Sequence, residues 1–76
     1  MRQKELRLII TFRTTAEAIA MERFCKRSGL PGRLIPVPRC ITADCGMAWS
    51  APVDARLTLE QAADAPEYAG IYEVII

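Results

Sequence analysis

Pro36 falls inside the apolar run Leu34–Val37, and that one residue restricts the architecture more than any other. A run of this composition reads as a β-strand, here from Gly32 to Val37. Proline has no backbone N–H to give to a ladder, so a strand that contains it belongs at the edge of a sheet. Pro38 stiffens the chain as it leaves. The segment Leu6–Phe12 has the opposite character. Leu6, Leu8, Ile10 and Phe12 share one face by period two, and Ile9 and Thr11 fall on the other, which is the pattern of a central strand. Gly46–Ala51 reads as a third strand, placed to pair antiparallel with the second across the intervening loop. Gly70 leads into a fourth, Ile71–Ile76.

Two helices separate these strands. Thr14-Thr15-Ala16-Glu17 is a capping box, and a helix over 14–28 follows, with Ala18, Met21, Phe24 and Cys25 on its apolar arc. Ser28-Gly29 ends it, Leu30 packs back over the last turn, and Pro31 forbids continuation. Pro52-Val53-Asp54 starts a second helix over about 54–65, with Thr58-Leu59-Glu60-Gln61 as an alternative start and Pro66 as the stop. The order strand, helix, strand, strand, helix, strand, joined by right-handed crossovers, predicts an α+β fold. It is a ferredoxin-like βαββαβ sandwich, a four-stranded antiparallel sheet with two helices on one face. Residues 1–76 form a single domain, with Phe12, Met21 and Phe24 buried and Leu34 and Ile35 beside them.

Composition narrows function mainly by exclusion. The net charge is +1, and no basic cluster with interleaved aromatics is present, so nucleic acid is not an expected partner. No apolar run is long enough for a membrane span. The apolar stretch near the N-terminus is short and interrupted by Arg7, Thr11 and Arg13, unlike a signal peptide, and a cytoplasmic location is expected. No phosphate-binding glycine motif or haem motif is present, and no cofactor is expected. The chain has three cysteines and no histidine. A closed zinc site wants four ligands, so no metal is expected either.

The cysteines divide by position. Cys25 lies beside Met21 and Phe24 and reads as a small buried hydrophobe. Cys45 ends a loop, opens a strand and precedes Gly46, which leaves room for a partner's backbone or a bulky ligand. A nucleophilic cysteine works as its thiolate. Arg39 favours that anion, and adjacent Asp44 opposes it. Cys40 lies five residues before Cys45. The spacing suits a disulfide across the loop, or a pair of ligands to a metal that would need carboxylates or a second subunit to complete its shell. Trp49 reads as core more readily than as binding surface.

The run Ile10-Thr11-Phe12 with Thr14 and Thr15, then Ala18, Glu22, Gly29-Leu30-Pro31, the block Arg33-Leu34-Ile35-Pro36-Val37-Pro38-Arg39, Cys45-Gly46 and Gly70-Ile71-Tyr72 resembles the Se/S carrier-like family of small bacterial proteins. The resemblance covers nearly the whole chain. Its most specific part is Leu-Ile-Pro-Val-Pro-Arg followed by Cys-Gly. It implies a one-domain cytoplasmic protein whose cysteine before Gly46 holds sulfur or selenium as a persulfide or perselenide. The donor would be a protein such as a cysteine desulfurase, and an acceptor protein would follow. Cys40 departs from the family pattern, which usually has a small polar residue there, and the segment after Trp49 lacks the usual charged character. The expected site is therefore Cys45 as carrier thiol, Cys40 as resolving thiol and Arg39 as thiolate stabiliser, with Pro38 and Gly46 at the docking surface. A weak homodimer around the same loop is a further expectation. The competing class is a ligand-sensing or protein-interaction module of the same fold. A thiol–disulfide enzyme fits less well, because Cys-x-x-Cys at a helix start is missing.

Overall fold

A computed structural model describes residues 4–41 and 46–76. The elements are β1 (Leu6–Thr11), α1 (Thr15–Ser28), β2 (Arg33–Pro36), β3 (Met47–Pro52), a 3-10 turn (Val53–Ala55), α2 (Arg56–Gln61) and β4 (Gly70–Ile75). One sheet has the order β2-β3-β1-β4, and every neighbouring pair is antiparallel. This is the expected α+β, ferredoxin-like arrangement. β1 is central, as its two apolar faces require, and β2 with Pro36 is at an edge.

The α1 signals work nearly as written. The Thr14 hydroxyl accepts the Glu17 N–H at 3.2 Å, and the Glu17 carboxylate accepts from the N–H of Arg13 at 2.8 Å, one residue ahead of the cap. At the other end Gly29 is left-handed (φ 74°), and Leu30 N–H donates to the carbonyl of Cys25 at 2.8 Å. The half-buried Leu30 side chain packs against the core.

Register sets the two faces of the sheet. Ile10 lies between Trp49 and Ile71, Leu8 opposes Ala51, and Leu34 opposes Trp49. These residues meet Ala18, Met21, Phe24 and Cys25 of α1 and Leu59 of α2, so both helices cover the same face. Burial of each large side chain here contributes roughly 1.5–3 kcal/mol. Trp49 is core, 2% exposed. The opposite face carries Arg7, Ile9, Thr11, Arg33, Ile35, Ala48, Ser50 and Tyr72 by the same register.

Three expectations need correction. Ile35 is not beside Leu34 in the main core. Strand alternation turns it to the helix-free face, where it is half-buried. The second helix is shorter than 54–65. It begins as the 3-10 turn after Pro52 and ends at Gln61, because Ala62 is already extended (ψ 115°), well before Pro66. Neither the 3-10 turn nor α2 has a side-chain cap, so the Thr58 box is unused. The strands also differ at their ends: β1 stops at Thr11, β2 spans only Arg33–Pro36, and β3 runs on to Pro52. Arg56 then ties α2 to the sheet, donating to Glu60 at 3.2 Å and to Glu73 of β4 at 2.7 Å. Among the described residues no helix is long and apolar enough to cross a membrane.

Candidate functional site

The loop between β2 and β3 is held at its base. Val37 N–H donates to the Gly46 carbonyl at 3.0 Å, one step beyond the last ladder pair, Pro36 with Met47. Pro38 has no N–H, and the pairing ends there. Its carbonyl instead accepts the N–H of Ile41 at 3.0 Å, closing a four-residue turn with Arg39 and Cys40 at the tip. Both tip residues are exposed, and Cys40 is a free thiol. Pro38 is half-buried. Proline in the first position has its φ fixed by the ring.

On the β3 side Gly46 is exposed and left-handed (φ 75°), and a Cβ at this position would meet nothing within 4 Å. Cys45, with Thr42, Ala43 and Asp44, lies outside the described residues, so the reading of Cys45 as carrier thiol and its relation to Cys40 and Arg39 rest on sequence.

Cys25 is in a different environment. It is 0% exposed, packed in the core cluster, and burial pushes its thiol pKa up. A thiol held neutral in an apolar setting is a poor nucleophile. Its structural reading stands. Among the described residues no group of three or more cysteine, aspartate or glutamate side chains could hold a metal ion.

Sequence reasoning did not single out Arg7, Arg33 and Ser50. They are far apart in the chain, and only strand register brings them onto one face. Arg7 Nε donates to Ser50 Oγ at 3.2 Å, and Arg33 lies directly across the ladder from Ser50. No linear motif carries that signal.

The fold and the anchored loop thus define a small α+β protein in which, among the described residues, the one exposed thiol lies in the loop beside an edge of the sheet. A family model described as "Putative Se/S carrier protein-like" matches residues 7–73, a span that contains both helices, β2, β3 and the loop between them, and most of β1 and β4. The chain belongs to that family. No curated protein and no solved structure matches it significantly.

Proposed function

We propose that this chain is a sulfur or selenium carrier that holds the transferred atom on Cys45, with Cys40 as a resolving thiol. The observation that supports this best is the segregation of its cysteines: Cys25 is sealed in the core, whereas Cys40 is exposed at the tip of a loop pinned at Val37 and Gly46. Family membership over 7–73 points the same way. A carrier needs a presented thiolate and a docking surface and no general base, which suits a chain without histidine.

Loading proceeds by thiolate attack of Cys45 on the terminal sulfur of a donor persulfide. The donor's S–S bond breaks, the donor leaves as a thiolate, and Cys45 becomes the persulfide, with no net oxidation. Release takes one of two routes. An acceptor nucleophile takes the terminal sulfur and Cys45 returns to thiolate. Otherwise the Cys40 thiolate attacks Sγ of Cys45, forms a Cys40–Cys45 disulfide and expels hydrosulfide, after which a dithiol reductant restores both thiols. Arg39 beside Cys40 in sequence would favour the anionic forms. The equivalent exchange with selenium gives a perselenide.

The test is anaerobic incubation with a cysteine desulfurase and cysteine, followed by intact and peptide mass spectrometry. One added sulfur atom on Cys45 is expected. Cys45→Ser should abolish it, Cys25→Ser should not, and Cys40→Ser should prolong the persulfide's lifetime. Loading of Cys45→Ser to the wild-type level would exclude this reading.

A further inference from the structure

We infer that the helix-free face of the sheet holds a binding site for a small organic carboxylate, and that Arg33, Arg7 and Ser50 recognise it. A cleft of about 770 Å³ opens there, lined by these three residues and by Ile35, Pro36 and Pro38. That volume is within the ~300–1,000 Å³ range of small-molecule sites. Its composition is that of a site for an anion with an apolar body: two arginines and a serine line it together with Ile35, Ile76 and two prolines.

The polar side is already arranged. Ser50 is 4% exposed, and its Oγ accepts from Arg7 Nε at 3.2 Å, so its own hydroxyl hydrogen is directed elsewhere. Arg33 faces Ser50 across the ladder and has no ion-pair partner among the described residues. Arg7 shows what this position accepts: its Nη1 holds the Glu5 carboxylate at 3.1 Å. Glu5 also lines the cleft, and its side chain is 66% exposed, so its hold on Arg7 is weak and a ligand carboxylate displaces it at little cost. Guanidinium is the group best suited to grip a carboxylate through paired N–H donors.

The cleft adjoins the cysteine loop, since Pro38 belongs to both the lining and the Pro38–Ile41 turn. A ligand anchored on the arginines therefore lies at the root of the segment that carries Cys40. Resting on the carrier reading above, the ligand class is a carboxylate-bearing low-molecular-weight thiol or persulfide.

The experiment is an amide-resolved NMR titration of the reduced full chain with N-acetylcysteine, and in parallel with its neutral amide. Saturable shifts at Arg7, Arg33 and Ser50 are expected with the carboxylate and none with the amide. Arg33→Gln, at an exposed edge position, should weaken binding about fivefold, and Glu5→Gln should tighten it by removing the internal competitor. Equal shifts from the amide, or unchanged binding in Arg33→Gln, would overturn the site. A chain that binds the probe but takes no sulfur from the desulfurase upholds the cleft and removes the carrier reading. One that loads sulfur but gives no shifts upholds the carrier and removes the cleft.

Discussion

Gly32 lies close against the indole of Trp49: a Cβ built on the glycine would fall 2.6 Å from Nε1 and 2.7 Å from the Ser50 carbonyl oxygen. Gly32 also has φ 145°, a conformation in which a side chain is strained. The buried Nε1 has no hydrogen-bond partner among the described residues, so close packing is what this end of the ring receives. Gly32→Ala should therefore destabilise by about 2–4 kcal/mol, from backbone strain and overpacking together. Urea unfolding followed by Trp49 fluorescence checks it, and a midpoint equal to that of wild type would contradict the contact.

Phe24 is 3% exposed in the core, and the Arg27 guanidinium lies 5.8 Å from its ring centroid. Phe24→Ala should cost about 3–5 kcal/mol, a large part of what so small a domain has. Arg27→Ala should cost under about 1 kcal/mol, since an exposed cation–π contact contributes little. Thermal or denaturant melts of the two variants should separate clearly. Similar losses would mean that the helix is held by its surface rather than by its apolar arc.

Cys25 gives stability an alkaline limit. Burial raises its folded-state pKa above that of the unfolded chain. Below the unfolded thiol pKa of ~8.5 both states are protonated and the contribution is complete. Above it the unfolded state loses its proton first, binds fewer protons than the native state, and stability falls as pH rises until the folded pKa is passed. The slope from this one group is at most about 1.4 kcal/mol per pH unit. Cys25→Ala should be less stable at pH 7, from lost packing, yet show a shallower decline between pH 8.5 and 10. Parallel declines in the two proteins would show that burial does not hold this thiol neutral.

The thiols should also separate by reagent access. Iodoacetamide applied to the native, reduced protein should label Cys40 and leave Cys25 untouched until denaturant is added, as read by peptide mapping. Labelling of Cys25 at the rate of Cys40 would show that α1 opens readily from the sheet.

Much of this was legible in the chain because single residues carry strong local signals. Thr14 and Glu17 start α1, Gly29 ends it, and Pro36 consigns β2 to an edge. The alternation Leu8, Ile9, Ile10 identifies the central strand. The end of α2 was obscured because 62–65 is Ala-Ala-Asp-Ala, good helix-forming composition with no stop signal, and Pro66 lies too late to mark the true end. Ile35 was misplaced by treating a short apolar run as one-sided, where a strand divides it between faces. The Arg7–Ser50–Arg33 cluster could not be read at all, because it exists only after β1, β3 and β2 pair in register. Of the loop, Cys40 is exposed and Gly46 has room around it, while the role of Cys45 rests on its place in the sequence.

The bond from Val37 to Gly46 has an evolutionary consequence. With both ends of the connection joined outside the core, segment 38–45 can lengthen, shorten or change its residues while the β2–β3 hairpin below keeps its register. Doubling such a loop costs only about 0.6 kcal/mol of closure entropy. The loop sequence can thus diverge faster than the sandwich beneath it, and a cysteine such as Cys40 can arise at its exposed tip by one substitution without any test of the fold.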